Sequence, residues 1–379
     1  MPEALIIGAG NIGRGVVGYL LRKANYQLSF FDIDYSRLEA IKRRGRYHIY
    51  IAEEPVRKVE IKDFEIVKPN SLVNKLADIQ TIFCCVYEGA FASIASNIVA
   101  AMEQRIAQKN TNELNLMLCV NSIDAPQKMA KLIMAEIADN STMQEYFTHY
   151  VGINQVMVLS AGLPLPEEYL VSGEDDVMIT SDPHLEIDGE SYKGQQPEIP
   201  SVRFVTNAEG RLKRKVYVGN MRHTMAGFIG ASLKQQFIYQ AQMKPEVRAH
   251  LMGAFNEAHS AIISEYSFEP AEDHTWVAYM NDKLNQKVED KITRVIANPE
   301  RKLAYEERFV APARLCLKHS ILPYEISLGI AYGIKYLQQR PEEQRTTEEL
   351  LNDVCGLESK RDFIITQLVK NHLEEIERK

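Results

Sequence analysis

The chain has 379 residues, of which 45% are hydrophobic and 25% charged, with a formal net charge of −7. That length asks for two domains rather than one core, and the composition excludes a disordered, collagen-like or disulfide-scaffolded chain. The acidic balance argues against nucleic acid as a partner, and no apolar run reaches the ~20 residues that a bilayer crossing needs.

The opening Met1-Pro2-Glu3-Ala4-Leu5-Ile6-Ile7-Gly8 has no positive n-region and runs straight into a glycine turn, which predicts no secretory signal and a cytoplasmic protein. Ala4–Gly8 reads as a short apolar strand, Asn11–Asn25 as a helix, Gln27–Phe31 as a second strand and Tyr35–Arg44 as a second helix. Strands alternating with helices of this length predict βαβ units and a parallel sheet. Tyr47–Ala52 and Val56–Ile61 follow as strands with no helix between them, an antiparallel excursion. Ile79–Val86, a Phe91–Gln108 helix and Leu114–Val120 resume the buried-strand pattern. From Val151 to Phe204 the chain is rich in Pro, Gly, Asp and Glu, with strand pieces at Val177–Thr180 and Leu185–Asp188. After about Glu209, long amphipathic stretches take over: Arg222–Gln240, Pro245–Tyr266, Asp273–Ile292, Tyr324–Gln339 and Thr347–Arg378, the last charged and expected to face solvent.

Between the first strand and helix lies Gly8-Ala9-Gly10-Asn11-Ile12-Gly13, a G-x-G-x-x-G loop in the context that a dinucleotide requires. Gly8 permits the tight turn, Gly10 lets backbone approach a pyrophosphate, and Gly13 lets the helix pack on the strand. The helix start offers N–H groups and a positive dipole end to phosphate. The second strand ends at Phe31-Asp32, where a carboxylate accepts from a ribose 2′-hydroxyl and repels a 2′-phosphate, so NAD is expected over NADP. Asp34 competes for that role, and Asp32 is preferred because it directly follows the strand. Arg14, on the loop's helix, is left open between cofactor contact and capping. The expected fold class is therefore α/β: an N-terminal Rossmann-type NAD-binding domain over residues 1–208 with a mixed-sheet extension, then a mostly α-helical substrate and catalytic domain over 209–379. Cys84, Cys85, Cys119, Cys316 and Cys355 are scattered with no CxxC spacing, so neither a metal site nor a disulfide framework is expected.

The second half opens with a basic run in which Lys215, Asn220 and His223 make K-x4-N-x2-H. By spacing alone Asn220 and His223 share a helix face, while Lys215 reads equally well as one more member of the run. The glycine loop followed by this set resembles the polyol-specific long-chain dehydrogenases, and most of all those acting on mannitol 1-phosphate. The resemblance extends to Cys119-Val120-Asn121 after a later strand and to Arg301-Lys302-Leu303 with Arg308 downstream. It implies an NAD-dependent, metal-free interconversion of a sugar alcohol (phosphate) and its ketose (phosphate), mannitol 1-phosphate to fructose 6-phosphate. Lys215 is then the general base, Asn220 and Asn121 hold the reacting oxygen, and His223 positions the substrate. A base near neutrality needs its pKa well below the ordinary ~10.4, which desolvation and the neighbouring Lys213 or Arg214 would provide.

Two segments depart from the family pattern. An expected Asp-Arg pair is replaced by Leu159 and Ser160, and Val86-Tyr87-Glu88-Gly89 replaces a small-residue turn. Arg294, Arg301, Lys302 and Arg308 are candidates to grip a substrate phosphate, with Arg301 and then Arg294 preferred, although their spacing also fits an exposed face paired with Glu300, Glu306 and Glu307. A fructuronate- or tagaturonate-type hexuronate reductase is the alternative within enzymes, and a non-catalytic NAD-sensing relative the alternative outside them. The expected partner is a small polyol or sugar phosphate, with no nucleic acid and no membrane, and the chain acts as a monomer or homodimer.

Overall fold

The central strands of the first half carry apolar residues at successive positions, and in the computed structural model both of their faces are covered, as parallel strands require. The structure describes residues 1–171 and 175–378 and divides into two units, Met1–Glu209 and Gly210–Lys379. In the first unit the strands are β1 (Glu3–Ile7), β2 (Gln27–Phe31), β3 (Arg46–Ala52), β4 (Arg57–Lys62), β5 (Phe64–Ile66), β6 (Thr81–Cys84), β7 (Leu114–Leu118), β8 (Val151–Val158), β9 (Gly162–Leu163), β10 (Val177–Thr180), β11 (Leu185–Asp188) and β12 (Val202–Val205). The larger sheet has the order β12-β11-β8-β7-β6-β1-β2-β5. It is parallel from β5 through β8, then gains an antiparallel β11 with β12 parallel to it. The chain moves outward from β1 to β2 and β5 and returns to β6 on the other side of β1. The carboxyl ends of β1 and β6 therefore flank a topological switch point, where such sheets bind ligands.

Period-two alternation sorts the strand residues between two cores. Ala4, Ile6, Phe30 and Phe83 pack with Val16, Val17 and Leu20 from the helix after the glycine loop. Leu5, Ile7, Ile82 and Leu116 pack with Leu76, Ile94, Ile98 and Met129 on the opposite face. The expected excursion is the antiparallel β3–β4 pair, and β10 joins β3 in parallel to make a second sheet, β4-β3-β10-β9. Ile49, Ile51, Val177 and Ile179 of that sheet belong to the same core as the loop helix. Strand β8, every residue of it buried, lies within the stretch that sequence composition presented as loop-rich.

The second unit is helical, as expected, but three of the long stretches are broken. Arg222–Gln240 is a Met221–Ser232 helix, a turn and a short Ile238–Gln242 helix. The break falls at Lys234, whose φ of 53° is left-handed, with Gln235 N–H closing back on the Gly230 carbonyl at 2.9 Å. The helix expected to reach Ile292 ends at Asp282. Thr347–Arg378 is two helices, Thr347–Asp353 and Phe363–Arg378, separated around Gly356 at φ 63°. The terminal helix also faces inward, with Ile365, Val369, His372 and Leu373 buried.

Arg14, left open by the sequence, is a structural residue here. It is 1% exposed and donates to the Ala9 carbonyl through Nε at 2.6 Å. It also donates to the Asp175 carbonyl and lies 3.2 Å from Asp175 Oδ2. Its guanidinium is 5.5 Å from the centre of the Tyr47 ring, and the Tyr47 hydroxyl donates to the Arg14 carbonyl at 3.0 Å. One side chain thus ties the glycine loop to β3 and to the segment leading into β10. Arg14→Met keeps the bulk and strands the Ala9 and Asp175 acceptors, and should cost the first unit about 2–3 kcal/mol in denaturant unfolding. A transition unchanged from wild type would contradict this role.

Candidate active site

The glycine loop is closed by backbone contacts that leave no room for side chains at two of its three glycines. Gly8 has φ 91°, and a Cβ there would lie 2.5 Å from the Cys85 carbonyl oxygen. A Cβ on Gly13 would lie 2.0 Å from the Gly8 carbonyl oxygen, so the loop folds onto itself at that point. Gly10 is different: a Cβ there would meet nothing within 4 Å. That open surface, at the start of the continuous Asn11–Lys23 helical run, is the space a pyrophosphate would take. Ala9 is buried, Ile12 half-buried and Asn11 exposed. Asp32 Oδ2 accepts from the Ala9 N–H at 2.7 Å and Oδ1 from the Asp34 N–H at 3.0 Å. Asp34 caps the following helix through Arg37 N–H at 3.2 Å. The two acids therefore have separate positions, Asp32 beside the glycine loop and Asp34 at the helix start. The residues present fit a dinucleotide.

Asn121 lies in the exposed loop after β7. That loop is fastened on both sides. The Val120 carbonyl accepts from Gln155 Nε2 at 3.0 Å, and Ser122 donates to Glu88 in the turn after β6, where Lys128 also lies 3.1 Å from Glu88. Leu159 and Ser160, standing in place of the expected Asp-Arg pair, hold the turn before β11. Leu159 N–H donates to the His184 carbonyl at 3.2 Å, and His184 N–H to Ser160 Oγ at 3.1 Å.

In the second unit Lys215 and Asn220 lie on one π-helical turn, Arg214–Asn220, which leads into the Met221–Ser232 helix bearing His223. An α-helix would set positions five apart roughly 140° from one another. A π turn bonds the backbone of i to that of i+5 and, being wider, brings the two positions nearer to one face. The local geometry thus groups Lys215 with Asn220 in a way that helical periodicity concealed. His223 Nε2 lies 3.1 Å from Asp290 Oδ2, and Arg294 Nε donates to Asp290 Oδ1 at 2.7 Å. Burial raises the Asp290 pKa, but the hydrogen bonds from His223 and Arg294 prevail and bring it down to about 2. Thr224 donates to the Asn220 carbonyl at 2.8 Å and accepts from Arg308 at 3.2 Å, which links Arg308 to the turn.

Burial pushes the Lys215 ammonium down to about 8, and the positive charges of Lys283 and Arg308 add to the shift. The expected agents were its chain neighbours, and this is a correction. Lys213 is turned to the Tyr266 hydroxyl at 2.8 Å, and Arg214 is neutralised by Glu272 at 2.6 Å and Asp273 at 2.7 Å. Lys283 and Asp290 were missed because they are distant in sequence and carry no motif, and Arg308, noticed in the sequence, was not connected there to the ionisation of Lys215. Lys302 is also lowered to about 8 by burial and by Arg308, Arg301 and Arg294. Its ammonium, however, caps the Val295 carbonyl at 2.7 Å and the Ala297 carbonyl, a structural use. Arg294 and Arg301, expected as phosphate ligands, each hold a carboxylate: Asp290 for the first and Glu307, at 2.7 Å, for the second. Among the described residues no cluster of three or more His, Cys, Asp or Glu is placed to hold a metal ion, and no helix is long and apolar enough to cross a membrane.

A Rossmann-type sheet with an open glycine loop, followed by a helical unit carrying a depressed lysine beside an asparagine, is the equipment of a dehydrogenase that works on alcohols. The chain belongs to the mannitol dehydrogenase family. Residues 2–200 match the model of the mannitol dehydrogenase Rossmann domain and residues 211–377 that of the mannitol dehydrogenase C-terminal domain. As a member it is an NAD-dependent polyol dehydrogenase. It is 26% identical to a mannitol-1-phosphate 5-dehydrogenase of Caldanaerobacter subterraneus subsp. tengcongensis, over 99% of this chain and 98% of that one. It is 27% identical to a Bacillus licheniformis enzyme of the same name, over 98% of this chain and 99% of that one. Among solved structures, mannitol 2-dehydrogenase of Pseudomonas fluorescens, in a ternary complex with NAD and D-mannitol, shares its fold with a TM-score of 0.78 at 13% identity, over 99% of this chain and 92% of that one.

The contrast between Gly10 and Gly13 gives a test of the loop. Gly10→Val should fold with a near-normal melting temperature yet weaken NADH binding at least tenfold by fluorescence titration, because its side chain enters the open surface. Gly13→Val should lower the melting temperature itself, since its side chain meets backbone. Equal melting temperatures for the two variants would contradict the assignment.

Proposed function

We propose that the chain oxidises a secondary alcohol of an acyclic sugar-alcohol phosphate, mannitol 1-phosphate to fructose 6-phosphate, with Lys215 as the general base. The observation that carries this reading is the placement of Lys215 with Asn220 on the Arg214–Asn220 turn leading into the helix of His223, where burial and the charges of Lys283 and Arg308 lower the ammonium to about 8. At its ordinary ~10.4 a lysine is almost wholly protonated at neutral pH, whereas at about 8 roughly a tenth is free base at pH 7. The same group remains acidic enough to return a proton to an alkoxide in the reverse direction.

The first unit, Met1–Glu209, is assigned to NAD and the second, Gly210–Lys379, to substrate and catalysis. Gly8, Ala9, Gly10, Asn11, Ile12 and Gly13 would cradle the pyrophosphate, and Asp32 would accept from the ribose hydroxyl and disfavour NADP. Bound NAD supplies the hydride acceptor. Lys215 takes the hydroxyl proton, and the amides of Asn220 and Asn121 donate to the oxygen as negative charge develops on it. His223, held by Asp290, donates to a further substrate hydroxyl. The names of the curated relatives support a phosphorylated substrate. The cation assigned to that phosphate is Arg308 rather than Arg301 or Arg294: all three meet a carboxylate, but Arg308 is largely buried and reaches the Asn220 turn through Thr224, while the other two are about half exposed.

Oxidation should rise with pH through one inflection near 8, and ketose reduction should fall through the same point, because one needs the free amine and the other the ammonium. Lys215→Ala should lose about 10²–10⁴ in kcat with NADH affinity retained. An inflection that survives in Lys215→Ala and disappears in His223→Ala would transfer the role of base to the histidine. Arg308→Ala should raise KM for mannitol 1-phosphate by roughly 10–100-fold, the worth of one charged hydrogen bond, while Arg301→Ala changes it little. Turnover of fructuronate in place of mannitol 1-phosphate would contradict the substrate assignment.

A further inference from the structure

The Pro270–Asp282 helix has no fully buried side chain, and the stripe it turns to its neighbours, with Trp276, Val277 and Met280, is only half-buried. Beside the stacking of Trp276 on Phe255 and His259, two buried arginines hold it, one at each end. Arg214 donates to Glu272 and Asp273 in the first turn, and its guanidinium lies 4.2 Å from the ring centre of Phe268 and 4.6 Å from that of Trp276. Arg222, the residue before His223, is 3% exposed and donates to the Met280 carbonyl and to Asn281 Oδ1 at 3.2 Å, with its guanidinium 4.5 Å from the Phe255 ring centre. It has no carboxylate partner among the described residues. A cation at a helix carboxyl end is favourable, and here both of its oxygen acceptors lie at that end, with a weaker contact from the same guanidinium to Met252 Sδ at 4.0 Å. Met280 also rests on the turn that carries Lys215, since a Cβ on Gly219 would lie 2.9 Å from Met280 Cε. Lys283 follows directly, its ammonium 4.4 Å from the Tyr279 ring centre on the same helix.

We propose that Arg222 is a positioning residue for the base: with Arg214 holding the start of the Pro270–Asp282 helix, it holds the end against the Arg214–Asn220 turn and so keeps Lys283 at Lys215. This rests on the reading of Lys215 as the base. The charges acting on Lys215 are Lys283 and Arg308. Other titratable groups on the packed elements have partners of their own: Arg308 also meets Glu307, Lys213 meets Tyr266, Arg214 meets Glu272 and Asp273, and His223 meets Asp290. On the Pro245–Glu265 helix Arg248 meets Asn285, His250 meets Glu325, Glu257 accepts from the Glu325 and Ile326 N–H groups, His259 meets Asp273 and Glu265 meets Lys318, while Arg314 meets Glu306. Lys283 is the charge among them that the arginine brackets place. Freeing the helix end should therefore raise the pH at which the base titrates.

The test is the pH profile of mannitol 1-phosphate oxidation, with the thermal unfolding transition as the check that each variant is folded. Lys283→Met should move the inflection upward by about half a pH unit or more, the size expected of a nearby like charge in a partly screened site, and Lys283→Arg should restore it. Arg222→Met should shift it in the same direction, and the double variant no further than Lys283→Met alone. Arg222→Lys, which keeps a cation but loses the fork, should give a smaller shift of the same sign and decides the matter if Arg222→Met does not fold. An inflection lost in Lys215→Ala but unmoved in the Lys283 and Arg222 variants overturns this inference alone. An inflection unchanged in Lys215→Ala overturns the reading on which it rests.

Discussion

The energetic centre of the second unit is an ammonium that burial penalises and two further cations repel. Water stabilises a charged lysine, and removing water while placing Lys283 and Arg308 nearby favours the neutral amine. Much of the surrounding structure maintains that disfavoured state. The π turn presents the lysine beside Asn220, Arg214 is prevented from adding further charge by two carboxylates, and Asp290 and Glu307 restrain Arg294, Arg301 and His223 in fixed places. Perturbed ionisation at such a place marks function more often than structure, and Lys302 shows the other case, a lysine lowered as far but committed to two carbonyl oxygens.

The first unit supplies a site by opposite means, through the absence of side chains. Gly8 and Gly13 are close-packed against backbone, while Gly10 leaves an opening, so three glycines in one motif meet two different physical demands. Arg14 and Asp32 pin the loop from within, at Ala9 O and Ala9 N. The loop is therefore held in shape before any ligand arrives, which lowers the cost of ordering it on binding.

What could be read in the sequence was what local patterns determine. The alternation of apolar strands and helices, the glycine loop with Asp32 and the β3–β4 excursion depend on neighbours a few residues apart, and they gave the fold class. The helix breaks at Lys234 and Gly356 were hidden because amphipathic spacing continues across them, and a left-handed residue is visible only once the backbone is. Strand β8 was obscured by the Pro, Gly and acidic residues that surround it. At the site, Lys215, Asn220 and His223 were noticed as a set, but the cause of the lysine's ionisation was assigned to Lys213 and Arg214, which are adjacent along the chain. In space those two are turned to Tyr266 and to Glu272 and Asp273, and the charges that matter come from positions 283 and 308. Electrostatics acts through distance and not through sequence order, so it is the part of a site least visible in a sequence.

The central claim concerns one proton on one nitrogen, and it can be observed without turnover. Nitrogen-15 NMR of the Lys215 side chain, assigned by its loss in Lys215→Arg, should titrate with a midpoint near 8 in the enzyme. A midpoint above 10, the value of a lysine in water, would contradict the account.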